Sequence, residues 1–180
     1  MPLRSAAMTE ITCVGLGLMG SALARAMLAA GHRITVWNRS PGKAGGLVGL
    51  GAREARSFAE ALAASPVVMI CIDSYASTRD LLAAADALPH LAGLVVVQLS
   101  TGTPREAGEL SAWGGARGAR YLDGAILCGP DDIGTPGVEI LVSATPRSGR
   151  RWRRFSPAWP ERSVMSVKGW ATRPRLIWPG

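Results

Sequence analysis

The hydrophobic positions of this chain follow two different periods, which alternate along most of its length. Short apolar or β-rich runs that end in glycine or polar residues predict strands, and the alanine- and leucine-rich stretches between them predict helices. The predicted strands are residues 11–15, 33–37, 67–72, 94–99, 121–123 and, as the last one, 138–142; the predicted helices are residues 21–30, 43–50, 58–64, 77–88 and 104–116. Strands that alternate with helices form βαβ units, so the pattern predicts an α/β fold with a doubly wound, mostly parallel sheet.

Two predicted helices begin next to a side chain that can cap them. Ser57 precedes the helix at 58–64, and Thr103 precedes Pro104, which suits the first helical position. The hydroxyl of Thr103 serves either as this cap or as a ligand group, and we favour the cap. The helix at 43–50 is expected to be poor because it contains three glycines, each of which costs about 1 kcal/mol relative to alanine.

The positive charge of the chain is concentrated near its C-terminal end. Residues 1–144 hold 11 Lys and Arg and 12 Asp and Glu. Residues 145–180 hold 9 Lys and Arg and only 1 acidic residue. The same C-terminal stretch contains four of the six Trp and five of the 12 Pro. We therefore divide the chain into one domain at residues 8–144, with Met1 or Met8 as the start, and an irregular basic tail at residues 145–180.

The tail has two interpretations. The domain is rich in Ala, Gly, Leu and Arg, which suggests a GC-rich gene, and a one-base shift in such a gene yields the Arg, Pro, Ser, Trp and Gly of the tail. The alternative is a genuine segment that binds nucleic acid through Arg on phosphates and Trp on bases. We favour the out-of-frame origin because the tail contains no recognisable binding module, and we expect no nucleic-acid partner.

The sequence predicts neither a membrane protein nor an exported one. The longest apolar candidate, residues 14–31, carries Arg25 near its middle, and the first residues do not match a signal peptide. Cys13, Cys71 and Cys128 have neither the spacing of a disulfide framework nor that of a metal site. We therefore expect a reduced, cytoplasmic protein without a metal.

A glycine motif lies between the first predicted strand and the first predicted helix. Gly15-Leu-Gly-Leu-Met-Gly20 matches the pattern G-x-G-x-x-G, which in this context is typical of a Rossmann dinucleotide-binding fold. The first glycine makes the tight turn, the second lets the backbone approach a pyrophosphate, and the third lets helix and strand pack closely. Because of the context, we favour a bound dinucleotide over a glycine-rich turn that binds nothing.

The end of the second predicted strand indicates which dinucleotide is bound. NAD-type sites place a carboxylate about 20 residues after the glycines, where it accepts hydrogen bonds from the ribose hydroxyls. Here Asn38, Arg39 and Ser40 stand in that place, and Lys43 follows. A guanidinium binds a 2′-phosphate in a bidentate manner, so we predict NADP(H). The alternative is that Arg39 and Lys43 are solvated loop charges.

These motifs resemble those of the β-hydroxyacid dehydrogenase superfamily, which includes 3-hydroxyisobutyrate and 6-phosphogluconate dehydrogenases. Within the superfamily, the NADPH-dependent imine reductases are the most similar branch. The segments that carry the resemblance are VGLGLMGSALA at 14–24, VWNRS at 36–40, CIDSY at 71–75, LSTGTP at 99–104, YLDGAI at 121–126 and IGTP at 133–136. The resemblance extends over about residues 11–143.

The resemblance implies a role for each matching residue. The residues that would hold the pyrophosphate are Gly15, Leu16, Gly17, Leu18, Met19 and Gly20; those beside the 2′-phosphate are Asn38, Arg39, Ser40 and Lys43. Ile72 and Asp73 would pass along the ribose, and Ser100 and Thr101 would lie beside the nicotinamide. The hydroxyls of Ser100 and Thr101 can equally serve as turn groups.

We assign no catalytic residue from the sequence. Asp123 is either a substrate contact or, as we favour, a strand-end aspartate that bonds its own turn beside Gly124; Tyr75 is equally ambiguous. In the superfamily the proton donor lies in a helical C-terminal domain, which residues 145–180 do not resemble. Lys168 does not lie in the superfamily's catalytic motif, so we give it no role.

The resemblance implies hydride transfer between NADPH and the C=N or C=O bond of a small imine, hydroxy acid or carbonyl compound. It also implies a homodimer whose helical domains complete the active sites. Because we recognise no such domain here, we predict the cofactor-binding domain of this kind of oxidoreductase and leave open whether the chain is an enzyme. The alternative is a non-enzymatic NADP(H)-binding fragment.

Overall fold

The described strands of the chain form one sheet. The computed structural model describes residues 9–135, 138–144, 164–168 and 175–177. The strands are β1 (Glu10–Val14), β2 (Arg33–Trp37), β3 (Arg53–Glu54), β4 (Val67–Ile70), β5 (Val95–Gln98), β6 (Arg120–Ile126), β7 (Glu139–Ala144), β8 (Val164–Lys168) and β9 (Arg175–Ile177). The helices are α1 (Leu18–Ala29), α2 (Gly45–Val48), α3 (Phe58–Ala63), α4 (Tyr75–Ala83) and α5 (Pro104–Gly115), with a 3₁₀ turn at Leu88–His90.

The order of the strands is β3-β2-β1-β4-β5-β6-β7-β8-β9. Pairing is parallel from β3 through β6 and antiparallel from β6 to β9. The first six strands thus have the order of a Rossmann fold, which confirms the predicted doubly wound, mostly parallel sheet. The chain moves from β1 outward to β3 and then returns to the other side of β1, so the order of winding reverses between β1 and β4.

The two faces of the sheet carry separate hydrophobic cores. One core contains Leu23 and Met27 of α1 and Leu47 of α2. The other contains residues of α3, α4 and α5, among them Leu62 and Leu110. The apolar run at Val67–Ile70 is needed because β4 lies in the middle of the sheet, where its alternate residues enter opposite cores.

Several elements differ from their predicted bounds, each for a local reason. Helix α1 begins at Leu18, within the glycine motif, because Gly17 has extended backbone angles and acts as its N-cap. Strand β6 continues to Ile126 because β7 pairs with it antiparallel beyond Asp123. Strand β3 was not predicted, since its two residues are exposed and lack an apolar pattern.

Both predicted helix caps are present. The Ser57 side chain accepts a hydrogen bond from the backbone N–H of Glu60. Thr103 and Glu106 form a reciprocal capping box at the start of α5, with Pro104 in the first turn. The capping role of Thr103 is therefore confirmed.

The predicted tail is only partly described. β7 is not the last strand, because β8 and β9 add two antiparallel strands beyond it. The expectation of an irregular tail over the rest of 145–180 and the choice between Met1 and Met8 concern residues outside the described ranges. The out-of-frame origin of the tail stays a prediction.

Candidate cofactor-binding site

The loops that follow β1, β2, β4 and β5 meet at one edge of the sheet, which we call the carboxyl edge. In a doubly wound sheet, ligands bind outside the carboxyl ends of the strands, where the order of winding reverses. The predicted site residues all lie in or beside these loops: the glycine motif follows β1, residues 38–43 follow β2, residues 71–74 follow β4, and residues 99–103 follow β5. The fold thus brings together four stretches that are far apart in sequence.

The three glycines of the motif have different structural requirements. Gly15 has a φ of +90°, and a Cβ there would lie 2.2 Å from the carbonyl oxygen of Cys71. A Cβ at Gly20 would lie 2.0 Å from the carbonyl oxygen of Gly15. At Gly17, no atom of the described residues other than its two chain neighbours lies within 4 Å of the Cβ position. Packing within the protein therefore explains the first and third glycines, whereas the space beside Gly17 is open to a ligand.

The N-terminus of α1 lies at this open space. The first backbone hydrogen bond of the helix runs from the Ser21 N–H to the Gly17 carbonyl oxygen, at 2.9 Å. The N–H groups of Leu18 and Met19, in the first turn of the helix, have no partner within the helix by its geometry. Gly17 and Leu18 are exposed, so the positive end of the helix dipole faces solvent at a place suited to a phosphate.

Leu16 and Asn38 are hydrogen-bonded to each other. The backbone N–H of Leu16 donates to Asn38 Oδ1 at 2.9 Å, and Asn38 Nδ2 donates to the Ser40 carbonyl oxygen at 2.9 Å. Leu16 is also buried, with 4% of its surface exposed. The amide of Asn38 thus joins the glycine turn to the turn after β2, a positioning role that the sequence did not indicate.

Two exposed cations follow β2. Arg39, Ser40 and Lys43 are all exposed, and within the described part of the chain neither cation forms an ion pair. By contrast, Arg33 at the other end of β2 pairs with Glu10, and Arg53 pairs with Glu60. Arg39 and Lys43 are therefore available to an anionic ligand at the carboxyl edge.

The loops after β4 and β5 are joined through Ser100. Its buried hydroxyl accepts a hydrogen bond from the backbone N–H of Ile72 at 3.1 Å. Ile72 is half-buried, whereas Asp73 and Thr101 are exposed. This contact joins two loops and is not the local turn contact that the sequence offered as one role for Ser100. Thr101 and Asp73 are the more accessible groups.

Tyr75 and Asp123 lie together although they are 48 residues apart in the chain. The Tyr75 hydroxyl, in the first turn of α4, donates a hydrogen bond to the Asp123 carboxylate. Asp123 lies inside β6, opposite Gln98 of β5 and Ser143 of β7. The interpretation of Asp123 as a strand-end residue is therefore wrong, because the antiparallel pairing with β7 extends the strand past it.

Burial dominates the electrostatics of this pair. It raises the pKa of Asp123, although the hydrogen bonds from Tyr75 and from the backbone of Gly124 act in the opposite direction. Burial and the adjacent Asp123 carboxylate also raise the pKa of Tyr75. The phenol therefore keeps its proton and remains a hydrogen-bond donor to Asp123 at neutral pH.

A groove of about 510 Å³ between α1 and residues 130–135 lies apart from this site. Its walls include four alanine side chains, with Arg25 and Asp131 among the few polar groups, and none of the predicted cofactor residues lines it. We assign it no ligand.

The family is established by a match over most of the chain. Residues 10–156 match the model of the NAD-binding domain of 6-phosphogluconate dehydrogenase. The chain belongs to this family. The predicted likeness to β-hydroxyacid dehydrogenases is thereby confirmed, and the chain is an NAD(P)-binding domain of the oxidoreductase type.

Proteins similar to this chain include imine reductases and reductive aminases. An NADPH-dependent reductive aminase from Aspergillus oryzae is 39% identical over 134 residues, which are 74% of this chain and 45% of the relative. A solved imine reductase variant from Myxococcus stipitatus, in complex with NAD+, is 33% identical with a TM-score of 0.76; the match covers 81% of this chain and 50% of the other. A reductive aminase from Aspergillus terreus, in complex with NADPH and ethyl-5-oxohexanoate, is 41% identical with a TM-score of 0.69 over 75% and 47% of the two chains.

The chain therefore spans about half the length of these relatives. The described part holds no helix long and apolar enough to cross a membrane. Within the same residues, no group of three or more His, Cys, Asp and Glu side chains is arranged to hold a metal ion.

Asp123 is expected to make the stability of this domain depend on pH. Since burial raises the folded-state pKa above the ordinary value of 3.8, the folded chain binds the proton more tightly than the unfolded chain does. The contribution of Asp123 to the free energy of unfolding therefore falls as pH rises from about 3.8 through the folded-state pKa, and is constant above it. Asp123→Asn removes this ionisation, so the variant gains stability relative to wild type across that window.

Urea denaturation of both proteins between pH 4 and pH 7 measures this effect. The difference in the free energy of unfolding between variant and wild type should rise with pH and then become level. A difference that stays constant over the whole range would show that Asp123 does not have a raised pKa.

Proposed function

We propose that residues 8–144 bind NADP(H) at the carboxyl edge, as the cofactor-binding domain of an oxidoreductase related to imine reductases. The observation that carries this proposal is the contrast among the three glycines. Two are required by contacts within the protein, but the open space beside Gly17 adjoins the N-terminus of α1. A pyrophosphate fits this place because it can approach the Gly17 backbone and accept hydrogen bonds from the N–H groups of Leu18 and Met19.

The preference for NADP(H) over NAD(H) is supported by the charges after β2. Arg39 and Lys43 are exposed cations without an ion pair among the described residues, and the side chain of Asn38 is occupied with Leu16 and Ser40. No carboxylate stands among residues 38–43 to accept the ribose hydroxyls of NAD. In this arrangement Arg39 binds the 2′-phosphate, with Ser40 and Lys43 beside it.

The other predicted residues complete the assignment. Ile72 and Asp73 lie along the ribose, and Ser100 and Thr101 lie beside the nicotinamide. Ser100 also fixes the backbone of Ile72, so one hydroxyl serves both loops. The bound nicotinamide supplies the hydride chemistry, while the residues of this chain bind and orient it.

The reaction of the whole protein is proposed from its relatives. We propose a small-molecule substrate with a C=N or C=O bond, because relatives of this chain include reductive aminases and imine reductases. We also propose a homodimer in which a further domain supplies the proton donor, and a reducing, cytoplasmic location. The location is supported by Cys13, Cys71 and Cys128, which are free thiols.

Calorimetric titration of the full chain with NADPH and with NADH tests the proposal. We expect saturable binding with NADPH preferred by at least tenfold. A preference for NADH would contradict the 2′-phosphate assignment, and the absence of binding to either would contradict the proposed function. NADPH oxidation followed at 340 nm with a cyclic imine then separates an enzyme, which turns over, from a non-enzymatic NADP(H)-binding fragment, which does not.

A further inference from the structure

The first turn of α4 is held by buried polar contacts from two neighbouring strands. From β6, Asp123 accepts the hydrogen bond of the Tyr75 hydroxyl. From β5, Gln98 Nε2 donates to Thr78 Oγ1 at 2.9 Å, and both of these side chains are fully buried. Gln98 and Asp123 are register partners in the sheet, so the two contacts lie side by side.

Tyr75 also contacts the loop that follows β5. A Cβ added at Gly102 would lie 2.3 Å from two carbons of the Tyr75 ring, so the glycine backbone lies directly against the ring. Tyr75 has 5% of its surface exposed. One side chain therefore touches β6 and the loop at 99–103, and it directly follows the loop at 71–74 in sequence.

These two loops carry residues that the proposed function places at the cofactor. The loop at 71–74 contains Ile72 and Asp73, and the loop at 99–103 contains Ser100 and Thr101. Ser100 and Ile72 are themselves hydrogen-bonded. A displacement of Tyr75 would consequently move both loops, whereas the turn after β2, which is attached through Asn38 to the glycine turn, would stay in place.

The polar nature of the contact argues against a merely structural role. A half-buried carboxylate and a buried phenol lose hydration on folding, and a well-packed apolar pair holds secondary-structure elements together at a smaller cost. What a hydrogen bond adds is a defined direction and distance between its two groups. A fixed direction and distance matter where loops must hold their groups against a ligand in one geometry.

We propose that Tyr75, held by Asp123, is a positioning residue that sets the loops at 71–74 and 99–103 for the nicotinamide half of the cofactor. This inference rests on the proposed function. The Tyr75–Asp123 pair should therefore affect the binding of the nicotinamide half. It should not affect the binding of the adenosine half, which lies at the glycine turn and at Arg39.

The test compares two ligands on the full chain. NADPH contains both halves, whereas adenosine 2′,5′-bisphosphate contains only the adenosine half. Tyr75→Phe removes the hydrogen bond and keeps the ring, so we expect the Kd for NADPH to rise about fivefold, corresponding to about 1 kcal/mol. The Kd for adenosine 2′,5′-bisphosphate should change by less than about twofold.

Two variants of Asp123 and one distant variant serve as controls. Asp123→Asn keeps an acceptor for the Tyr75 hydroxyl and should bind NADPH as wild type does, whereas Asp123→Leu should behave like Tyr75→Phe. Ile11→Val removes one methyl group from a buried residue of β1 and should leave the ratio of the two Kd values unchanged despite a small loss of stability. Bound-NADPH fluorescence, which reports the nicotinamide environment, should change in Tyr75→Phe and Asp123→Leu alone.

The outcomes separate this inference from the proposed function. If wild type fails to bind NADPH, the proposed function and this inference are both refuted. If wild type binds NADPH but Tyr75→Phe weakens both ligands equally, or neither, the inference alone is refuted. The inference is supported if Tyr75→Phe and Asp123→Leu lose affinity for NADPH alone while Asp123→Asn keeps the wild-type affinity.

Discussion

Replacing Gly17 with alanine is expected to leave the domain folded while weakening NADPH binding by at least tenfold, which corresponds to about 1.4 kcal/mol. The backbone angles of Gly17, φ −71° and ψ −174°, are accessible to any residue. Apart from its two chain neighbours, no atom of the described residues lies within 4 Å of the new Cβ. The methyl group would instead occupy the space where a pyrophosphate approaches the backbone. Calorimetry gives the affinity, and urea denaturation gives the free energy of unfolding.

Other glycines provide matched comparisons. Gly108 lies in α5 with nothing within 4 Å of its Cβ position, so Gly108→Ala should keep full affinity and add about 1 kcal/mol of stability. Gly15→Ala should lower the free energy of unfolding by about 2–5 kcal/mol, because it combines a positive φ with a clash against the Cys71 carbonyl. If Gly17→Ala binds NADPH as tightly as wild type, the open space does not hold the pyrophosphate.

Replacing Arg39 with alanine is expected to weaken NADPH binding by about 10- to 100-fold and to leave NADH binding nearly unchanged. A hydrogen bond to a charged group contributes about 1.5–3 kcal/mol, and each 1.4 kcal/mol corresponds to a factor of ten. NADH lacks the 2′-phosphate, so it loses nothing from this substitution. Because Arg39 is exposed and forms no ion pair in the described part of the chain, the change should not affect folding.

Arg33→Ala is the control for this prediction. Arg33 lies at the amino end of the same strand, β2, and pairs with Glu10 there. Its removal changes the net charge by the same amount at the opposite edge of the sheet. Equal losses for NADPH and NADH in Arg39→Ala, or a loss of NADPH binding in Arg33→Ala, would contradict a specific contact with the 2′-phosphate.

The fold was predictable because its signals are local. The apolar run at β4, the glycine motif at the start of α1 and the capping residues Ser57 and Thr103 each lie within a few residues of the structure that they specify. Helix α1 began earlier than predicted only because its N-cap is a glycine inside the motif. Strand β3 has no local signal at all, since it consists of two exposed residues paired to β2.

The positioning contacts were not predictable, because each joins residues that are distant in sequence. Leu16 and Asn38 are 22 residues apart, and Ile72 and Ser100 are 28 apart. The sequence left the role of Tyr75 and of Asp123 ambiguous, and no feature of a single sequence pairs them. The mistaken view of Asp123 as a strand-end residue has the same origin, since the strand is extended by pairing with β7.

The central claim is that the phosphates of NADPH bind at the glycine turn and after β2. Titration of the ¹⁵N-labelled chain with NADPH, followed by the backbone amide resonances, tests this claim most directly. We predict saturable shifts at Gly17, Leu18 and Met19, with shifts at Arg39 and Ser40 that are absent in a parallel titration with NADH. Shifts confined to other parts of the chain, or no saturable shifts at the glycine turn, would contradict the account.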